Sequence, residues 1–247
     1  MKKTLLLLCL CLFVTSIQAQ KEQVYQNESK THIGWQPDRR LTKEDYQGDF
    51  NNDPRHQKYC DKVGLCVNAA TGVFYRVDAR KGRYKPGKYY EKLYVSPLFQ
   101  KNISCYSSTA DSLDFAKQQL VFDIDELTAR YMKYQFHHFL DSFNLHCDNE
   151  CTFFFLSFYE EAMAIRDTVI ARYSHDVYLV NREGAYDEWR QRVDQLLDTY
   201  KDYATTPEEV QRILFDKPLD KKLKLAKSLM PSWFAKQKQK EMQQDEK

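Results

Sequence analysis

Residues 112–143 carry apolar side chains at helical spacing on two adjoining stripes. Leu113, Ala116, Leu120, Ile124, Leu127, Tyr131 and Tyr134 fall three or four apart, while Phe115, Phe122, Ala129, Phe136 and Phe143 recur every seven. This spacing predicts one long helix, with Asp111 or Ser112 as its N-cap. Apolar residues on so much of the circumference mean that it cannot lie on a surface, so other elements must wrap it. A chain of 247 residues, 14% of them aromatic, has the length and bulk to do so in one large domain, or in a domain with an extension.

The segments before this helix alternate with period two. "VFYRVDA" places Val73, Tyr75 and Val77 on one face, and "YEKLYVS" sets Tyr90, Lys92 and Tyr94 opposite Leu93 and Val95, as half-buried strands do. "RKGRYKPGK" between them reads as a solvated hairpin connection. The strand-like pattern covers 63–106, so the long helix is expected to lie against a sheet built from that stretch, and "NNDPRHQ" before it reads as loop. Further upstream, "IGWQPDRRLTKEDYQGDF" runs from an extended segment into a short helix, with Thr42 and Asp45 spaced as a capping box. Helices are expected over 152–173 and 185–203, and "TTPEEVQ" opens another with Thr206 as cap and Pro207 at its first position. Strands first and helices after define an α+β chain with an antiparallel or mixed sheet. It divides into a polar segment (20–31), an α+β domain (32–204) and a helical, lysine-rich C-terminal extension (205–247).

The opening "MKKTLLLLCLCLFVTSIQAQ" has the charge, the apolar run and the Ile17-x-Ala19 end of a Sec-type signal peptide. Its apolar run, residues 5–14, is shorter than the ~20 residues of a membrane span, and Leu10 before Cys11 is too large for lipoprotein cleavage. Cleavage is expected after Ala19, which places the mature chain outside the cytoplasm, secreted or periplasmic. The formal charge of +2 falls to near zero once Lys2 and Lys3 are removed, so charge gives no bias towards nucleic acid. Seven glycines, with no G-x-G-x-x-G or Walker pattern, argue against a phosphate-cradling loop. Cys60, Cys66, Cys105, Cys147 and Cys151 follow the signal, and their odd count leaves a thiol unpaired. Cys147 and Cys151 in "LHCDNEC" are the expected disulfide, closing the turn between the first two long helices; Cys60 with Cys66 comes next.

Two stretches, with a third that matches more sparsely, resemble a bacterial family of predicted secreted zinc-dependent proteases, a domain of unknown function. The family motif W-x-x-x-R-x-L-T-W-x-D-F-x-G is similar to "WQPDRRLTKEDYQG": Trp35, Arg40, Leu41, Thr42, Asp45 and Gly48 match, while Lys43 and Tyr46 depart. The family's central helix, L-L-x-H-E-Q-x-H-F-D-I-x-E-L-x-A-R, resembles the long helix here through Gln119, Phe122, Asp123, Ile124, Glu126, Leu127, Ala129 and Arg130. A third motif, Y-D-x-x-T-x-H-G, falls on "YSHDVYLV", where Tyr173 alone matches. The resemblance implies a zincin-like fold and a zinc peptidase site. Yet the ligand and base positions hold Lys117, Gln118, Val121 and Leu179. A catalytic zinc takes about three protein ligands and a water. Here a cation and hydrocarbon stand in the ligand positions, and an amide cannot act as the general base a glutamate supplies. The site is vestigial, with no catalytic residue, metal or cofactor assigned to it.

Other clusters hold residue types from which a site could be rebuilt. "HHFLDSFNLHCDNEC" gathers His137, His138, His146, Cys147, Asp148, Glu150 and Cys151, but adjacent histidines point about 100° apart on a helix. His175 stands as a shifted ligand or a surface histidine. Asp123 and Glu126 form a carboxylate pair or, more plainly, Glu126 pairs with Arg130 at i,i+4. Nothing in sequence places a histidine beside Cys105. Residues 217–240 are lysine-rich, and Leu219, Leu223 and Met230 give an amphipathic helix that docks on the domain or makes weak contact with an anionic membrane surface. The resulting expectation is a non-catalytic homologue that binds an unidentified protein or cell-envelope partner. An active secreted hydrolase with a rearranged site is the alternative.

Overall fold

The computed structural model describes residues 24–81, 91–143 and 151–226. Strand β1 (His32–Gly34) enters first, and a 3-10 turn follows at Lys43–Asp45. In that turn the Asp45 carboxylate accepts from the Thr42 N–H at 2.7 Å, as the capping spacing predicts. Helix α1 (Pro54–Val63) comes next, where sequence suggested loop and the start of a strand region. Its stop and start signals explain the correction. Asp53 accepts from Arg55 N–H as N-cap, Pro54 occupies the first turn, and Gly64 ends the helix in the left-handed region at φ 70°. Strands β2 (Val67–Asn68), β3 (Thr71–Arg80), β4 (Glu91–Gln100) and β5 (Cys105–Tyr106) follow.

Helix α2 (Ser112–Ser142) is the long helix, and Asp111 and Asp114 form a reciprocal capping box at its start. Helices α3 (Cys151–Ser174) and α4 (Ala185–Thr199) fall where expected, except that the chain after Thr199 turns into a 3-10 segment at Lys201–Tyr203. A π-helical turn, His175–Leu179, continues α3. Helix α5 (Pro207–Leu214) begins with Thr206 capping the Glu209 N–H and Pro207 in the first turn. Strand β6 (Leu223–Leu225) then closes the described chain.

The main sheet has the order β1-β4-β3-β6, and each neighbouring pair is antiparallel. β2 and β5 form a separate antiparallel pair. The protein is therefore α+β with an antiparallel sheet. One face of β3 and β4, through Val73 and Val95, packs on Ala129, Met132 and Phe136 of α2 and on Phe155 and Ala162 of α3. The other face is covered as well: Tyr94 and Leu98 lie under Ile213 of α5. Gly34 of β1 has no room for a side chain, because a Cβ there would stand 2.1 Å from Val210 of α5.

α2 is wrapped as its two stripes require. Phe115 and Phe122 face Ile33, Trp35, Tyr46 and Phe99; Leu120 and Ile124 face Tyr173, Val177, Tyr178 and Val193. In the segment after 204, α5 stands where its cap predicts and adds a second layer on the sheet, but Leu223–Leu225 departs from expectation: it is a strand paired with Asp78, Ala79 and Arg80 where an amphipathic helix was expected. Leu219 and Leu223 share the helical spacing whereas Leu223 and Leu225 share the strand period, and the free edge of β3 decides between them. The disulfide joins Cys60 to Cys66 across 4.4 Å between Cα atoms, within the normal span. The expected Cys147–Cys151 pair lies outside the described residues at Cys147. No helix among the described residues is long and apolar enough to cross a membrane.

Between α5 and the sheet, Asp78 and Arg212 form a bidentate ion pair at 2.5 and 2.7 Å, with both side chains fully buried. Breaking such a pair strands a charge, whereas replacing both partners with apolar groups is often neutral. Arg212→Met alone should lower the unfolding free energy by about 3–5 kcal/mol in urea titration. The double change Asp78→Leu with Arg212→Met should recover most of that loss.

Candidate functional site on the central helix

Of the four positions at which the resemblance implies zinc chemistry, two meet at one phenol. Gln118 is buried, and its amide is used at both ends: Oε1 accepts from Ala69 N–H at 3.2 Å, and Nε2 donates to the Tyr178 hydroxyl at 3.0 Å. Lys117 holds its ammonium 5.3 Å from the centre of the Tyr178 ring, a cation–π contact. Val121 packs in the same apolar cluster as Tyr178. Leu179, the next residue along the π turn, is 65% exposed. Tyr173, the one match to the third motif, is fully buried and donates its hydroxyl proton to the Lys117 carbonyl at 2.8 Å. Burial pushes the Tyr178 pKa up, so the hydroxyl stays protonated. These residues do not fit a zinc ion. An ammonium, a spent amide and hydrocarbon occupy the positions, and a neutral phenol fills the space between Lys117 and Gln118.

The first two motifs converge on the other side of α2. Asp123, 1% exposed, accepts four hydrogen bonds, one for each lone-pair direction a carboxylate offers. Trp35 Nε1 at 2.8 Å and Gln119 Nε2 at 2.9 Å bond to Oδ1, while Arg40 Nη1 at 3.1 Å and Arg190 Nη1 at 2.5 Å bond to Oδ2. Gln119 Oε1 in turn accepts from Leu41 N–H at 2.9 Å. One turn further, Glu126 is fully buried and accepts from Arg130 Nε at 2.7 Å, Thr205 N–H at 3.0 Å and Thr205 Oγ1 at 2.6 Å. The Arg130 guanidinium lies 5.2 Å from the Trp35 ring centre and so joins the two groups. Gly48, the last motif residue, lies against the backbone at Ser104, whose carbonyl would stand 2.9 Å from an added Cβ. Asp123 and Glu126 are therefore fully committed to structural bonds, and the i,i+4 pairing with Arg130 is present. Asp125 faces the opposite way, to Arg166 Nε at 2.5 Å.

Two open concavities flank this network. A cleft of about 490 Å³ is lined by Arg40, Lys43, Phe115, Gln119, Tyr186 and Arg190 among others. A groove of about 660 Å³ between α3 and α4 is lined by His175, Asp176, Trp189 and Arg192 among others. His175 is exposed and faces Asp176 at 3.2 Å. His137 and His138 are exposed on α2, against Tyr203 and Tyr134 respectively. No group of three metal-ligating side chains occurs among the described residues; His146, Cys147, Asp148 and Glu150 lie outside them. The structure supplies one contact that sequence could not: His56 Nδ1 lies 3.4 Å from the Cys105 Sγ, 49 residues away in the chain. Cys105 is a buried free thiol in the cluster that holds Cys60 and Cys66. Comparison of the chain with family models, curated proteins and solved structures finds no match.

Burial raises the Glu126 pKa against the pull of Thr205 and Arg130. A carboxyl with a higher pKa folded than unfolded contributes stability that is complete below the unfolded value, ~4.3, and is lost as pH rises through the folded one. Wild type should therefore lose stability relative to Glu126→Gln as pH rises from about 4 to 7, read as the difference in urea midpoints. A flat difference, or one that grows in favour of wild type, would show the carboxylate to be net favoured in the fold.

Proposed function

We propose that this is a secreted or periplasmic, zincin-like homologue of predicted zinc-dependent proteases that has lost catalysis and works by binding a partner. The observation that carries the reading is Gln118. It stands where the family places its catalytic glutamate, and both ends of its buried amide are held by Ala69 and Tyr178. The resemblance draws further support from Trp35, Arg40, Leu41, Gln119, Asp123, Glu126 and Arg130. These residues match two motifs far apart in sequence and interlock in space. A scaffold kept in this way, with its ligand positions filled by packing and amide contacts, has binding surfaces left to offer.

The competing reading, a hydrolase with a rearranged site, has the Cys105–His56 contact on its side. Burial and the nearby Asp49 and Asp53 push that thiol's pKa up, the opposite of what a nucleophilic cysteine needs. Purified mature protein, beginning after Ala19, should carry well under one zinc per chain by elemental analysis and should not cleave unfolded casein. One zinc per chain that disappears when His137, His138 and His146 are replaced, or proteolysis abolished by Cys105→Ala, would overturn the proposal.

A further inference from the structure

The cleft of about 490 Å³ combines unspent donors with an apolar wall. Its lining includes three cations, Arg40, Lys43 and Arg190, and no carboxylate. Arg190 is fully engaged, with Nη1 on Asp123 and both Nε and Nη2 on Asp194. Arg40 is not. Its side chain is 61% exposed and, among the described residues, its guanidinium uses Nη1 alone, on Asp123, which leaves the Nε–Nη2 edge open. Lys43 forms no salt bridge among the described residues and lies 5.6 Å from the Phe115 ring centre. Leu41, Phe115, Ala116 and the Tyr186 ring supply the apolar wall.

Charge and shape together narrow the ligand. Arg190 is taken up by Asp123 and Asp194, which leaves Lys43 and the open edge of Arg40 for an anion; with Glu44 and Asp187 close by, the site suits a monoanion better than a dianionic phosphate. The open edge of Arg40 presents two parallel N–H groups, the geometry that pairs with a carboxylate in bidentate fashion. A cavity of this size holds a ligand of a few hundred Å³, enough for a carboxylate together with a bulky side chain.

We propose that this cleft binds the C-terminal end of a peptide whose last residue is apolar. The terminal carboxylate sits on Arg40 and Lys43, and the last side chain lies against Leu41, Phe115, Ala116 and Tyr186. This rests on the binding reading above and names the chemistry of the partner.

The test uses the mature protein and two small probes, N-acetyl-Ala-Leu with a free carboxylate and the same dipeptide as its C-terminal amide, titrated by calorimetry. The free acid should bind, and amidation should weaken binding by about tenfold or more, the loss expected for charge-assisted hydrogen bonds. Arg40→Gln and Lys43→Gln should each weaken the free acid by a similar factor; Lys43→Gln should keep a melting temperature near that of wild type, whereas Arg40→Gln also removes a donor from Asp123 and should lower it. Lys43 forms no salt bridge among the described residues, so its variant reads the charge without disturbing Asp123. No binding of the free acid, equal binding of the amide, displacement of the acid by equimolar inorganic phosphate, or binding unchanged in both variants would each overturn the proposal. Those results would leave the non-catalytic reading standing, because that reading fails on zinc content and proteolysis instead.

Discussion

A buried carboxylate organises this molecule. Asp123 sits in the middle of α2 with its charge out of water, a position that is unfavourable unless every lone pair finds a donor. The four donors come from three parts of the chain: Trp35 and Arg40 from the segment after β1, Gln119 from one turn back on α2, and Arg190 from α4. Satisfying one side chain therefore fixes the loop, the central helix and the third long helix relative to each other. Glu126 extends the same logic to the chain just before α5 through Thr205. Arg130, between Glu126 and the Trp35 ring, makes the two carboxylates one unit.

This arrangement gives the central helix two faces with different demands. Asp123, Glu126 and Arg130 face the network and hold elements together, so changing them would leave buried groups unpaired. Residues 117, 118 and 121 face Tyr178 and the apolar cluster around Tyr173 and Val177. On that side the requirement is packing, which Lys117, Gln118 and Val121 meet with a cation–π contact, a double amide bond and a methyl surface. The two faces answer to different constraints, and they belong to one helix.

The sequence carried the long helix, because its stripes repeat over many turns and a misreading would have to be wrong at every one. It also carried the capping of α2 and α5 and the facing of β3 and β4, which rest on local spacing. It did not reveal α1, whose Asp53, Pro54 and Gly64 belong to a loop by composition and to a helix only by position. The strand at Leu223–Leu225 exists because β3 has an edge to pair with, a fact of tertiary structure. At the site, Asp123 and Arg130 stood out by their motif. Arg190 did not, because its partner is 67 residues away and nothing local marks it. His56 beside Cys105 was hidden for the same reason.

The sheet places its two ten-residue strands, β3 and β4, at the centre and gives its outer positions to three-residue strands, β1 and β6. Exposed strand edges are where chains pair with their neighbours and begin to aggregate, and short edge strands blunt that hazard. β6 lies across Asp78, Ala79 and Arg80 of β3, so the last described strand shields that end of the edge from other copies of the protein. A chain cut before residue 223 would bare those backbone groups. Its loss would then show less in the packing of the core than in the tendency of separate molecules to add strand to strand.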